Sequence, residues 1–111
     1  MKYLLLIYEN EKRFEGGYDP KELAEYGAFG KELAPKILGG NALKPTRAAT
    51  TVRVRDGKRL TTDGPFAETK EQLGGYYLIE ASDLDEAIAV AGKIPAARYG
   101  SIEVRPIMTF S

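Results

Sequence analysis

The chain has no cysteine, no histidine and no tryptophan. Without cysteine there can be no disulfide, no thiolate nucleophile and no Cys-ligated metal site. Without histidine, the commonest general base and the commonest metal ligand are both gone. Proton chemistry here would have to run on carboxylates, Tyr, Lys, Arg, Ser or Thr. An excess of one charge is also missing, because sixteen Lys and Arg are cancelled by sixteen Asp and Glu. Nucleic-acid binders use a cationic excess to displace phosphate counterions, so no direct nucleic-acid partner is expected. The apolar run Tyr3–Tyr8 is far below membrane-spanning length and lacks a signal-peptide cleavage pattern. These absences predict a cytoplasmic protein with no membrane partner. No phosphate loop, nucleotide fingerprint or metal-ligand spacing occurs, so no cofactor and no metal is expected.

The 111 residues and 12.2 kDa suit a single domain spanning 1–111. Such a chain exposes roughly 6,000 Å² when folded, against about 17,700 Å² when extended. That is enough burial for a modest core without staples. Tyr3-Leu4-Leu5-Leu6-Ile7-Tyr8 has no polar face and reads as a strand buried on both sides, central in its sheet. Asp19-Pro20 reads as a helix cap and first turn. The expected buried stripe is Leu23, Tyr26, Gly30, Leu33, Ala34 and Ile37, with Pro35 ending or kinking the helix and Gly39-Gly40 closing the segment. Gly27 and Gly30 suggest a close approach of helix to sheet. A connecting stretch follows from Asn41 to Ala49. Thr50–Arg55, Asp56-Gly57 and Lys58–Thr62 then form a hairpin with a type I′ turn, which places Leu60 opposite Arg53. Tyr76–Ala81 is a further strand. Ser82 or Asp83 caps a helix with the stripe Leu84, Ala87, Ile88 and Ala91, and Ile102–Ile107 is a last strand in which Pro106 marks an edge or end.

The order is β-α-β-β-α-β with an extra hairpin, the ferredoxin-like α+β pattern of an antiparallel sheet with two helices on one face. The first strand and Tyr76–Ile79 are apolar on both sides. The face away from the helices would therefore expose more apolar surface than soluble monomers tolerate. A homodimer packed sheet to sheet, with a small cleft between sheet and partner, is the expected solution.

Between the hairpin and the next strand lies Asp63-Gly64-Pro65-Phe66-Ala67-Glu68-Thr69-Lys70-Glu71-Gln72-Leu73-Gly74-Gly75, the longest mixture of turn-formers and ionisable groups in the chain. Asp63–Glu71 with Gly74-Gly75-Tyr76, the opening Met1–Tyr8, Thr51-Val52-Arg53, Asp83–Ala87 and Val104-Arg105-Pro106 together resemble the YCII-related family, in its DGPF-domain branch. The resemblance implies a dimeric α/β barrel of two facing ferredoxin-like sheets. A His–Asp pair proposed as an active site in YCII-type relatives cannot be carried over to a chain without histidine. Only an acidic partner such as Asp63 remains. The resemblance also implies an association with extracytoplasmic-function sigma factors.

Among the residues themselves, Asp63 is either a turn residue accepting backbone N–H bonds or an acid/base at the cleft mouth. Glu68, Lys70 and Glu71 read as a charged turn of short helical character. Alternatively, Lys70 neutralises an anion while Glu68 or Glu71 handles a proton. Arg53 and Arg105 are expected to face the cleft, since Val52, Val54 and Val104 would face the helices. Their guanidinium groups would take a small anionic ligand or pair with Glu80 or Glu103. Tyr8 and Tyr76 would line the cleft or pack the interface. Three functions fit: a homodimeric small-molecule-binding or regulatory accessory domain, a cofactor-free enzyme using Asp63, or a module that binds a sigma factor.

Overall fold

The structure is a computed structural model and describes residues 1–110. Six strands and two helices follow one another as β1 (Lys2–Glu9), α1 (Pro20–Glu32), β2 (Ile37–Ala42), β3 (Thr50–Arg55), β4 (Lys58–Asp63), β5 (Gln72–Glu80), α2 (Leu84–Gly92) and β6 (Ser101–Pro106). Four strands make one antiparallel sheet in the order β2-β5-β1-β6, and β3 and β4 pair only with each other. With the hairpin set aside, this is the ferredoxin-like order, and β1 is central as its two apolar faces require. Pro106 ends the edge strand β6, where its missing N–H costs no ladder bond. No helix among the described residues is long and apolar enough to cross a membrane.

Alternation along β1 sorts the two faces. Tyr3, Leu5, Ile7 and Glu9 are buried, while Leu4, Leu6 and Tyr8 are only half-buried. The buried row meets Phe29 and Leu33 of the first helical segment, Ala87, Val90 and Ala91 of α2, and Ile94 and Ala96 beyond it. Both helices thus cover one face. The register pairs Leu4 with Leu78, Leu6 with Tyr76, and the same two leucines with Arg105 and Glu103. These side chains share the open face.

Several expectations need correction. In α1 the inward residues are Tyr26, Phe29 and Leu33, whereas Leu23 is 54% exposed and Ala34 is exposed. The helix stops at Glu32, three residues before Pro35, so Ile37 belongs to β2. A Cβ built at Gly27 or Gly30 would meet nothing, so neither glycine marks a close approach. Gly39-Gly40 does not close a segment but lies inside β2, paired with Leu78 and Tyr77. In α2 the buried side chains are Ala87, Val90 and Ala91, while Leu84 and Ile88 are about half exposed. The helix is seated by its small residues, which turns the larger ones outward. Its start is as expected: Asp83 accepts from the Glu86 N–H, and the Glu86 carboxylate accepts from the Ser82 N–H.

The hairpin register is the expected one, with Arg53 opposite Leu60. Asp56 and Gly57 both have positive φ, as a type I′ turn requires. Val52 and Val54, however, face no helix and are 56% and 61% exposed. The hairpin leaves the body instead of lying on it.

Candidate functional site

A cleft of about 780 Å³ opens where β1 ends and β5 and β6 begin. That size is ordinary for a small-molecule site. Its floor is Tyr8, Leu73 and Ser101, and its walls are the connection from Leu43 to Thr51 and the loop from Pro65 to Gln72. Sheet irregularity shapes the floor. Between the pairs Ile7–Gly75 and Tyr8–Leu73 one extra residue, Gly74, bulges out, and its carbonyl accepts from the Leu43 N–H at 2.9 Å.

Both walls are fixed by side chains. The Glu11 carboxylate accepts from the Thr46 N–H at 2.6 Å and from the Thr46 hydroxyl at 2.8 Å. The Glu11 N–H donates to the Gln72 side-chain oxygen at 2.9 Å, and the Gln72 amide nitrogen donates to the Thr69 carbonyl. The Thr69 hydroxyl donates to the Glu71 carbonyl. These bonds hold Thr69–Gln72 as an irregular loop, so the expected helical turn around Glu68 and Lys70 is not formed. At the other end of the loop the Thr51 hydroxyl donates to the Gly64 carbonyl, and the Gly64 N–H donates to the Ala49 carbonyl.

The Glu71 side chain lines the cleft and accepts a 2.9 Å hydrogen bond from the Ser101 hydroxyl. Beneath the floor, on the helix side of β1, Glu9 is only 6% exposed. Burial pushes its carboxyl above the usual carboxylate range, Arg13 opposes that shift, and Glu22 and Glu71 add to it. Arg13 is engaged elsewhere, 2.7 Å from Glu22 and 4.0 Å over the Tyr99 ring. Burial, and then the charge of Glu9, also raise the pKa of Tyr26. Gly100 makes this crossing possible, because a Cβ there would lie 2.0 Å from the Tyr8 carbonyl oxygen.

Of the residues singled out from sequence, the fold brings Tyr8 and Glu71 into this cleft. Asp63 ends β4 opposite Thr50, is exposed, and is not among the side chains that line the cleft. Glu68 and Lys70 are exposed on the loop. Arg105 lies on the open sheet face in an ion pair with Glu103, and Glu80 pairs with the terminal ammonium at 2.7 Å. Tyr76 lies on the same face, its hydroxyl accepting from the Asn41 amide at 3.0 Å. Arg53 is on the separate hairpin, so the two arginines are in different sheets. Thr46, Ser101 and Glu11 had no local signal; they meet the loop only because distant strand ends converge. Among the described residues no group of three or more Asp or Glu is placed to hold a metal ion.

The cleft is therefore a largely apolar space with one fixed carboxylate, one lysine (Lys44), hydroxyls on Tyr8, Ser101, Thr46, Thr50, Thr51 and Thr69, and Phe66 in its lining. An ionised Glu71 can only accept hydrogen bonds, so it favours a ligand that brings an O–H or N–H.

Comparison with known proteins bears on this geometry. An uncharacterised protein of Rhizobium meliloti (strain 1021) is 50% identical over 117 residues, covering 99% of this chain and 94% of that one. The fold is similar to that of 5-chloro-2-hydroxyhydroquinone dehydrochlorinase (TftG) from Burkholderia phenoliruptrix AC1100, solved in complex with 2,5-dihydroxybenzoquinone. That likeness has a TM-score of 0.59 at 16% identity and covers 97% of this chain and 94% of that chain. The YCII-related domain is matched along residues 1–111, and the chain belongs to that family.

Proposed function

We propose that this protein is a homodimeric domain that binds a small, hydroxylated, planar molecule in the cleft at the sheet end. The observation that carries this reading is the Glu71 carboxylate, held by Ser101 inside a largely apolar cleft of about 780 Å³. A donor-bearing ring suits the Glu71 acceptor, and Lys44 in the same lining can take a ring oxygen, whereas Arg53 and Arg105, which a small anion would have needed, lie outside the cleft. TftG, similar in fold, was solved with 2,5-dihydroxybenzoquinone, a planar ring that carries ring oxygens. The homodimer is supported by the uncovered face of Leu4, Leu6, Tyr76 and Leu78. A cytoplasmic location agrees with the lack of cysteine. Titration of hydroquinone, a planar ring whose phenolic hydroxyls stay protonated at pH 7, followed by calorimetry and by amide NMR shifts, tests the reading. Shifts at Tyr8, Glu71 and Ser101 are expected, and shifts confined to the hairpin or the helices would overturn it.

A second reading, a cofactor-free enzyme, is favoured by the same carboxylate. Glu71 would move a proton to or from a bound hydroxyl, in place of the more remote Asp63. Turnover lost in Glu71→Gln but kept in Asp63→Asn would support it. The sigma-factor association is tested by a pull-down with Glu68→Ala and Lys70→Ala, which should lose a partner bound by this loop.

A further inference from the structure

Every residue of the hairpin from Val52 to Asp63 is exposed. An isolated two-stranded hairpin is at best marginally stable in water and needs an apolar surface to pack on. The described residues supply none: among them β3 and β4 pair only with each other, and the molecule measures 47 × 46 × 19 Å. Its radius of gyration is 15.9 Å, against about 13 Å for a compact chain of this length. The exposed area is 8066 Å², whereas a compact monomer of this mass exposes about 6,000 Å². The surplus, roughly 2,000 Å² per chain, is the area that each subunit of an obligate homodimer buries.

The surface also fits a second copy of itself. Leu4, Leu6 and Leu78 on the open face are accompanied by Lys2 and Arg105 and by Glu80 and Glu103, which balance in charge. A two-fold contact needs such self-complementarity. That face ends in Tyr8 at the cleft, and the hairpin rises from the rim of the same cleft, where Thr50 and Thr51 line it. A six-residue strand reaches about 20 Å, so an arm leaving this rim is long enough to reach the partner of a face-to-face pair.

We infer that the cleft is composite, with the Val52 and Val54 face of a second copy's hairpin closing its open side. Arg59 and Thr61 share that face, while Arg53, Arg55 and Leu60 lie on the opposite one. The inference rests on the homodimer and cleft proposed above. It explains why two valines at a strand centre face away from their own core.

The chain has no native thiol, so introduced cysteines are the only ones. Val54→Cys in a tagged chain and Phe66→Cys in an untagged one, coexpressed and treated with a short bismaleimide, report whether hairpin and cleft mouth of different chains meet. Mass by light scattering is measured on the same sample. A tagged–untagged covalent pair is expected, and its yield should fall at least tenfold when Val52→Lys is added to the tagged chain. A dimeric mass without that cross-link would overturn the composite cleft and leave the homodimer standing. A monomeric mass would overturn both. Because every residue from Val52 to Asp63 is exposed, Val52→Lys should not unfold the body, and an unchanged circular dichroism spectrum checks this.

Discussion

The Ser101 hydroxyl donates a 2.9 Å hydrogen bond to the Glu71 carboxylate, joining the start of the last strand to a loop thirty residues earlier. The bond holds one oxygen of Glu71, a residue that lines the cleft. A hydrogen bond to a charged group is worth about 1.5–3 kcal/mol. Glu71→Gln should therefore weaken binding of hydroquinone, which donates its hydroxyls at pH 7, by roughly tenfold or more, as read by calorimetry. Ser101→Ala, which only frees the carboxylate to reorient, should cost less. Asp63→Asn should leave affinity unchanged.

Glu9 predicts a pH dependence of stability. Its folded pKa lies above the unfolded value because burial disfavours the charged form. The folded state therefore keeps a proton that the unfolded state releases. This contribution is fully present below the unfolded value and is lost as pH rises through the folded one. Glu9→Gln removes that loss. It should melt at a higher temperature than the parent at pH 7, while the two converge as pH falls to about 3.5, below the ordinary glutamate value.

Gly100→Ala should be destabilising, because the new Cβ would stand 2.0 Å from the Tyr8 carbonyl oxygen. Backbone cannot yield as a flexible side chain does. A loss of about 1–3 kcal/mol is expected, seen as a lower urea midpoint with an unchanged slope. The adjacent Ser101 would shift as well, so ligand affinity should fall with stability.

Leu6→Lys tests the open face. Leu6 lies between Tyr76 and Glu103 and touches no helix. The charge should leave the monomer folded but halve the mass seen by light scattering. A lysine variant that stays dimeric would show that another surface joins the copies.

Much of the fold was legible because its signals are local. The Asp56-Gly57 turn, the caps at Asp19 and Asp83 and the two-faced apolar β1 each follow from neighbouring residues. The glycine pairs misled. Gly39-Gly40 and Gly74-Gly75 read as breakers, yet they lie inside β2 and β5. A Cβ at Gly40 would lie 2.7 Å from the Tyr77 ring and from the Tyr76 carbonyl oxygen, and one at Gly75 would lie 3.0 Å from the Asn41 carbonyl oxygen, so absence of a side chain is what lets these strands pass. Phe29, one position before the Gly30 of the expected stripe, is the buried residue of α1. The site was only half legible. Tyr8 and Glu71 stand in conspicuous stretches, but Thr46, Glu11 and Ser101 acquire meaning only once 35 or 30 residues of chain have folded back.

The chain of bonds through Thr46, Glu11 and Gln72 has a further consequence, for hydrogen exchange. The amide protons of Thr46 and Glu11 are committed to the side chains of Glu11 and Gln72, which tie one wall to the other, not to a strand ladder. They can exchange with solvent when the walls part, even while the sheet stays closed. Their exchange rates, compared with those of Leu5 or Ile79 in the core, would measure how often the cleft opens. A ligand that fills it should slow those two amides and leave the strand centres alone.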